Sequence, residues 1–307
     1  MANPTKYDVG WFTDADELSE QTGLGYRDQA QVQAATRLVD AFARRGGSGV
    51  FTKLERAKIA AGLKKRLANF NSFNQGDTWL CGIATFIRVW AHDFPVQYVQ
   101  LATDLYEKGE GRLTNQPKYA GKAIKPSQAL RDSPPGKLSD GKEFDHADWI
   151  VLASVREAFN SVFDYTANEG IFRIKAWNFP RDVEGEFKAA GYQKIVNKAD
   201  GLKCQGYDNL MAATRLYESG WRVILLINSR LLSRDKKQVA GSALLYHSNH
   251  WIGLNQAITI STFNGQNRVL PFSVYSWDGL YTVPRWNEPL PLSTFINSYF
   301  GFVAGHV

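Results

Sequence analysis

Cysteine is scarce in this chain: 307 residues hold two, Cys81 and Cys204. At most one disulfide can form, which excludes a small core stapled by several bridges. Long apolar runs are also missing. None approaches the roughly 20 residues a bilayer-crossing helix needs, so no membrane span is expected. The opening stretch Met1-Ala2-Asn3-Pro4-Thr5-Lys6-Tyr7-Asp8 has no basic region followed by an apolar run. A standard cleaved secretory signal is therefore not expected, and the location read from this is cytoplasmic, or exported without a cleavable signal peptide. Basic tracts are short. The formal charge is +6, but Lys64-Lys65-Arg66 and Arg234-Asp235-Lys236-Lys237 are scattered clusters, which reads as a solvated surface and not as a nucleic-acid site. Nine tryptophans exclude a disordered chain.

What is present is a change of pattern along the chain. Gln29 to Arg45 carries Val32, Ala35, Leu38, Val39 and Phe42 at helical spacing, and Gly46-Gly47-Ser48-Gly49 ends it. A second helix is expected over Thr52 to Asn69, with Leu54, Ile59, Leu63 and Leu67 on one side. A helix apolar almost all round begins at Cys81 (Ile83, Phe86, Ile87, Trp90), and Pro95 marks its end. Further helices are expected over Val96 to Lys108, Asp148 to Phe159 and Tyr207 to Ser219. Residues 109 to 143 read as a surface excursion with one short helix around Ser127 to Arg131. Strands are expected at Tyr192 to Val196, Trp221 to Ile227, Ala243 to Tyr246, His250 to Asn255, Ala257 to Thr262, Val269 to Tyr275, Leu280 to Val283 and Gly301 to Ala304. Helices first and strands afterwards make an α+β arrangement. The expected division is an N-terminal helical segment over 1–70 and a main domain over 71–307, with a helical lobe to about 190 and a β-rich lobe from about 191.

The densest chemistry lies in Asn74-Gln75-Gly76-Asp77-Thr78-Trp79-Leu80-Cys81-Gly82. Cys81 falls in the first turn of its helix, where the dipole and the free N–H groups favour a thiolate. Gln75 supplies an amide that reaches over the turn to an oxyanion beside the Cys81 N–H, and Gly76 lets the loop fold tightly. A base is missing locally. It is expected from His250 in Ser248-Asn249-His250-Trp251-Ile252-Gly253-Leu254, which would take the thiol proton, hold the thiolate as an ion pair and later protonate the leaving amine. Asp278 in Tyr275-Ser276-Trp277-Asp278-Gly279 is the first choice to orient the ring. Asn264 in Asn264-Gly265 is the second, although Asn-Gly is foremost a hairpin-turn signal.

Gln75-Gly76, four residues and then Cys81 at a helix start resembles the active-site entry of papain-like cysteine hydrolases. Asn249-His250-Trp251-Ile252-Gly253-Leu254 resembles the histidine strand of that superfamily, and Ser276-Trp277 is similar to the segment after its orienting residue. Tyr275 stands where the orienting amide would be, so Asp278 implies a shifted geometry, and Gly82 stands where a bulky aromatic is usual. The resemblance implies a helical lobe bearing Cys81 against an antiparallel β-rich lobe bearing His250. It also implies Cys81 as nucleophile, His250 as base and acid, and Gln75 as oxyanion donor. The strand order is similar to that of divergent bacterial effector and toxin proteases, which implies a protein, peptide or peptidoglycan substrate and an inhibitory or immunity partner. No cofactor and no metal are called for. Two rivals stay open: a non-catalytic binding module of the same fold, and a metal-dependent hydrolase using His247, His250 and Asp278.

Other candidates have plainer readings. Cys204 reads as structural, and His92 as a cation at a helix C-terminus. His146 reads as helix-start capping and His306 as solvated. Gly23-Leu24-Gly25 reads as a turn. Trp277, Tyr281, Trp286, Tyr299 and Phe300 read as packing at the core and lobe interface.

Overall fold

A computed structural model describes residues 23–25, 27–75, 80–115, 121–138, 141–159, 179–240, 248–286 and 288–307. Asp28 opens the first helix by accepting the Ala30 and Gln31 N–H groups at 2.9 and 3.2 Å, a cap worth about 1 kcal/mol. That helix, α1 (Gln29–Arg44), buries Val32, Ala35, Val39 and Phe42, the side that its 3.6-residue period puts in one stripe. The next, α2 (Arg56–Ala68), buries Ile59, Leu63 and Leu67, and Arg66 with them. Cys81 is the first residue of α3 (Cys81–Asp93), in which every residue from Cys81 to His92 is buried. Pro95 starts α4 (Pro95–Lys108), and Gly109 closes it at φ 73°, a left-handed conformation that glycine takes at little cost.

Strands β1 (Gly111–Leu113) and β2 (Lys122–Ile124) form a small antiparallel pair within the expected excursion. Then come α5 (Gln128–Asp132), α6 (His146–Phe159) and α7 (Pro180–Ala189). From residue 194 onward the chain builds the main sheet from β3 (Lys194–Asn197), β4 (Arg222–Ile227), β5 (His250–Leu254), β8 (Phe272–Ser276), β9 (Gly279–Val283) and β11 (Tyr299–His306). Its order is β3-β11-β4-β5-β8-β9, antiparallel throughout. Strands β6 (Ile260–Phe263), β7 (Gln266–Val269) and β10 (Leu290–Pro291) make a second sheet. The helices α8 (Tyr207–Glu218), α9 (Lys236–Ala240) and α10 (Leu292–Ile296) lie between and after these strands. The protein is α+β.

The main sheet separates two cores, and β4 feeds both by alternation. Ile224 and Leu226 join the core that also holds Val39, Leu63, Ile87 and Val155. Val223, Leu225 and Ile227 join the core that holds Leu210 and Phe295. Each such side chain contributes about 2 kcal/mol by leaving water. The first core runs from α1 through α6 without a break at residue 70, so the helices before that position pack as one body with the Cys81 helix. The strand expected over Val269 to Tyr275 is interrupted: β7 ends at Val269 and β8 starts at Phe272. Between them Pro271 has no N–H to give a ladder, and Leu270 N–H donates to Thr259 O instead. The expected strand at Ala243 to Tyr246 lies outside the described residues. Among the described residues no helix is long and apolar enough to cross a membrane.

Candidate active site

The Cys81 helix crosses β5 at close range because Gly253 has no side chain. A Cβ there would lie 3.1 Å from both Thr85 Cγ2 and Arg88 Nη1, closer than ordinary packing allows. Thr85 Oγ1 reaches Trp251 O at 3.5 Å. One turn earlier, Cys81 meets the start of the same strand. Burial pushes its thiol pKa up, while the backbone N–H groups of Trp251, Gly82 and Cys81 itself and the charge of Arg156 pull it down.

His250 opens β5 and is buried. Its Nε2 lies 2.6 Å from Ser276 Oγ at the end of β8, and its ring stacks on Trp277 with centroids 5.1 Å apart and planes at 29°. Burial pushes the His250 pKa down to about 4. With the thiol raised and the imidazole lowered, both groups are neutral at neutral pH. The thiolate–imidazolium pair expected from the sequence is not the state this burial favours, because desolvation penalises both charges together. No hydrogen bond joins Cys81 to His250 in the described structure.

Gln75 is buried, and its N–H donates to Trp277 O at 3.1 Å. Trp277 therefore joins Gln75 on its backbone to His250 on its ring face. It does so from a positive φ of 43°, a conformation costing about 1 kcal/mol or more in a residue other than glycine. The structure thus gathers Cys81, His250 and Gln75 around the first residues of β5 and the tip of the β8–β9 hairpin. Gly76 to Trp79, the rest of the expected loop, and His247 lie outside the described residues.

Asp278 is not brought to His250. Trp277 and Asp278 form the two-residue turn of the β8–β9 hairpin, in which Ser276 pairs with Gly279. The Asp278 carboxylate accepts the Tyr281 hydroxyl on the exposed side of that turn. The register of β5 on β8 pairs Gly253 with Tyr275. Continued, it would set Asp278 opposite His250, but β8 ends at Ser276, whose hydroxyl lies beside the ring nitrogen. Asn264 sits at φ 49° beside Gly265 in the exposed β6–β7 turn, the hairpin role its sequence announces.

The remaining candidates are accounted for locally. Both cysteines are free, and Cys204 Sγ donates to Asn297 O at 3.5 Å. His92 Nδ1 lies 2.9 Å from Asp93 Oδ1. His146 Nδ1 accepts the Glu55 N–H at 3.0 Å, so it caps the neighbouring helix α2. His306 is half-buried against Trp221, with centroids 5.4 Å apart. The aromatic cluster divides: Phe300 enters one core and Tyr299 the other, and Trp277, Tyr281 and Trp286 pack against the second, Trp277 also stacking on His250. Among the described residues no group of three or more His, Cys, Asp or Glu is placed to hold a metal ion.

Ser276 and Arg156 carry no sequence signal of a role. A serine at a strand end and an arginine on an apolar helix are common, and only the packing of β5, β8 and α6 brings them to the site. Compared with known proteins, the chain matches no family model and no curated sequence.

Proposed function

We propose that the protein is a cysteine-dependent acyl-transfer enzyme with a papain-like two-lobed arrangement, cleaving an amide bond in a protein, peptide or peptidoglycan substrate. One observation carries the reading. Cys81 is the first residue of a buried helix that packs on the strand opened by His250, through Thr85 on Trp251 O and Gly253 against Thr85 and Arg88, and the His250 Nε2 is engaged by Ser276. With Nε2 occupied, Nδ1 is the nitrogen that exchanges a proton with the thiol. Ser276 takes the orienting role that the sequence suggested for Asp278.

In this reaction the thiol proton passes to His250 Nδ1 as the sulfur attacks the carbonyl carbon. The C–S bond forms, and the carbonyl π electrons move onto oxygen. The Cys81 N–H and the Gln75 amide receive that oxyanion. Its collapse breaks the C–N bond, and the amine leaves with the proton from His250. Water, or an acceptor amine, then resolves the thioester. Because both groups start neutral, proton transfer accompanies attack and no standing thiolate is held. An exported bacterial effector or toxin with an inhibitory partner is the setting that the sequence resemblance favours.

The test is a burst of p-nitrophenolate from p-nitrophenyl acetate, one equivalent per chain, lost in Cys81→Ala and slowed in His250→Ala. Absence of a Cys81-dependent burst refutes the reading. It would assign the chain instead to a non-catalytic binding module, the alternative favoured by the unclosed Cys81–His250 hydrogen bond.

A further inference from the structure

The three residues before the site loop are tied down from two sides. Phe73 O accepts the Tyr275 hydroxyl at 3.0 Å, and Gln75 N–H donates to Trp277 O at 3.1 Å, both from the β8 side. Between them, Asn74 N–H donates to Asp148 Oδ2 at 2.9 Å, from helix α6 on the other side. Asp148 is fully buried and is itself gripped by Arg66 of α2. Arg66 Nε donates to Asp148 Oδ1 at 2.8 Å, and Nη2 donates to Oδ2. Arg66 also faces Asp145 at 3.1 Å and lies over the Phe73 ring at 5.6 Å. Successive residues along an extended strap cannot all be fixed by one neighbour, because their backbone groups point alternately to opposite sides. Here the sheet takes the outer two and the buried ion pair takes the middle one.

We propose that the Arg66–Asp148 pair is a positioning device that holds the strap Phe73–Gln75, and thereby sets the Gln75 amide for the oxyanion. The inference rests on the reading of Cys81 as nucleophile and Gln75 as oxyanion donor. A buried ion pair is a costly way to gain stability, since apolar residues of similar volume often serve as well. Its worth here is an acceptor at one place, with the arginine fork fixing the carboxylate plane. Asp148 touches no substrate; it acts through Asn74.

The test compares three full-length proteins. Arg66→Leu with Asp148→Leu removes both charges and the acceptor for the Asn74 N–H. Arg66→Leu with Asp148→Asn removes the charges but keeps an oxygen at the acceptor position. Two rates are read on each, beside wild type. In acylation by p-nitrophenyl acetate the acetyl group moves to Cys81, p-nitrophenolate leaves, and the carbonyl oxygen passes through an oxyanion. Alkylation by iodoacetamide displaces iodide and needs no oxyanion donor. The double-leucine protein is expected to lose about 100-fold in acylation, the cost of misplacing a group by about 1 Å, with alkylation unchanged. The asparagine-bearing protein is expected to recover most of it. Amide hydrogen exchange at Asn74 and Gln75 is expected to be slow in wild type and the asparagine-bearing protein, and fast in the double-leucine protein.

Equal acylation in all three proteins overturns the proposal, as does a parallel loss of acylation and alkylation, which would mean that the whole Cys81 site had moved. If the double-leucine protein does not fold, Arg66→Met with Asp148→Ala, which removes the same charges and the same acceptor at smaller volume, carries the same comparison of rates. Protected Asn74 and Gln75 amides in a wild-type chain that shows no Cys81-dependent acylation would refute the nucleophile instead, and with it the catalytic role of the clamp.

Discussion

The chain entering the Cys81 helix and the chain leaving it are each held by an arginine–aspartate pair, fully buried on the entering side and with a half-buried arginine on the leaving side, and the two aspartates respond in opposite ways. On the entering side, burial carries Asp148 up to about 6 despite Arg66, with the nearby Asp145 charge adding to the rise and the Asn74 N–H opposing it. On the leaving side, Asp93 is also buried. Yet the His92 ring at 2.9 Å, Arg222 Nε at 2.8 Å and the Tyr192 hydroxyl at 2.8 Å surround its carboxylate, and its pKa falls below the ordinary value. Burial is the largest influence on both. The number of donors and the absence of a second acid decide which way each one goes. The leaving-side pair also holds the start of the described chain, since Arg222 Nη1 donates to Leu24 O. It acts as an anchor, and the entering-side pair as a clamp on the strap.

The largest expected effect comes from breaking either pair singly. Asp148→Leu leaves the buried Arg66 with only the part-exposed Asp145 beside it and is expected to cost about 3–5 kcal/mol in denaturant unfolding, and Asp93→Leu, which leaves a half-buried Arg222, is expected to cost less. Removing both partners separates the two sites. Arg66→Leu with Asp148→Leu is expected to return most of that loss. Arg222→Leu with Asp93→Leu returns less, because the Tyr192 hydroxyl also loses its acceptor. Equal recovery at both sites would mean that the two pairs do the same structural work.

Acid sharpens the comparison next. Asp148 binds its proton more tightly folded than unfolded, where an aspartate titrates near about 3.9. Its ionisation therefore costs stability as pH rises through about 6, and acidification below that returns it. Asp93, with a lowered folded pKa, contributes stability above the unfolded value that is lost only as pH falls through its folded one. His250, pushed to about 4 against about 6.5 unfolded, loses its contribution as pH drops between those values. In unfolding measurements from pH 7 to pH 5, Asp148→Asn is expected to lose stability more steeply than wild type, and His250→Gln less steeply. A slope for Asp148→Asn equal to that of wild type would place the folded Asp148 pKa near its ordinary value.

The smallest effects concern which residue serves His250. Ser276→Ala removes a buried hydrogen bond, at about 1 kcal/mol, and is expected to slow acylation by p-nitrophenyl acetate. Asp278→Ala, in an exposed turn, is expected to stay within about 0.5 kcal/mol of wild type with acylation unchanged. The reverse order would return the orienting role to the aspartate.

Much of this was legible in the sequence. The helix starting at Cys81, the strand starting at His250 and the sides of α1 and α2 follow from residue spacing, because an amphipathic or all-apolar period has few ways to be buried. The turn at Asn264-Gly265 was legible for the same local reason. Asp148 was not. As the third residue of an acid-rich helix start it has the pattern of ordinary capping, and nothing nearby points to Arg66, 82 positions away along the chain.

The sequence by itself determined that one thiol would stand at the head of a buried helix, with an amide six residues before it and a histidine opening a later strand. Those are consequences of local spacing. Tertiary structure alone decided that Ser276 and not Asp278 meets the ring, that burial leaves the thiol and imidazole neutral, and that a buried ion pair holds the strap before Gln75. Each of these depends on where β8 ends and on how much water the packed helices and sheet exclude. Those are properties of contacts between distant segments, which no local pattern encodes.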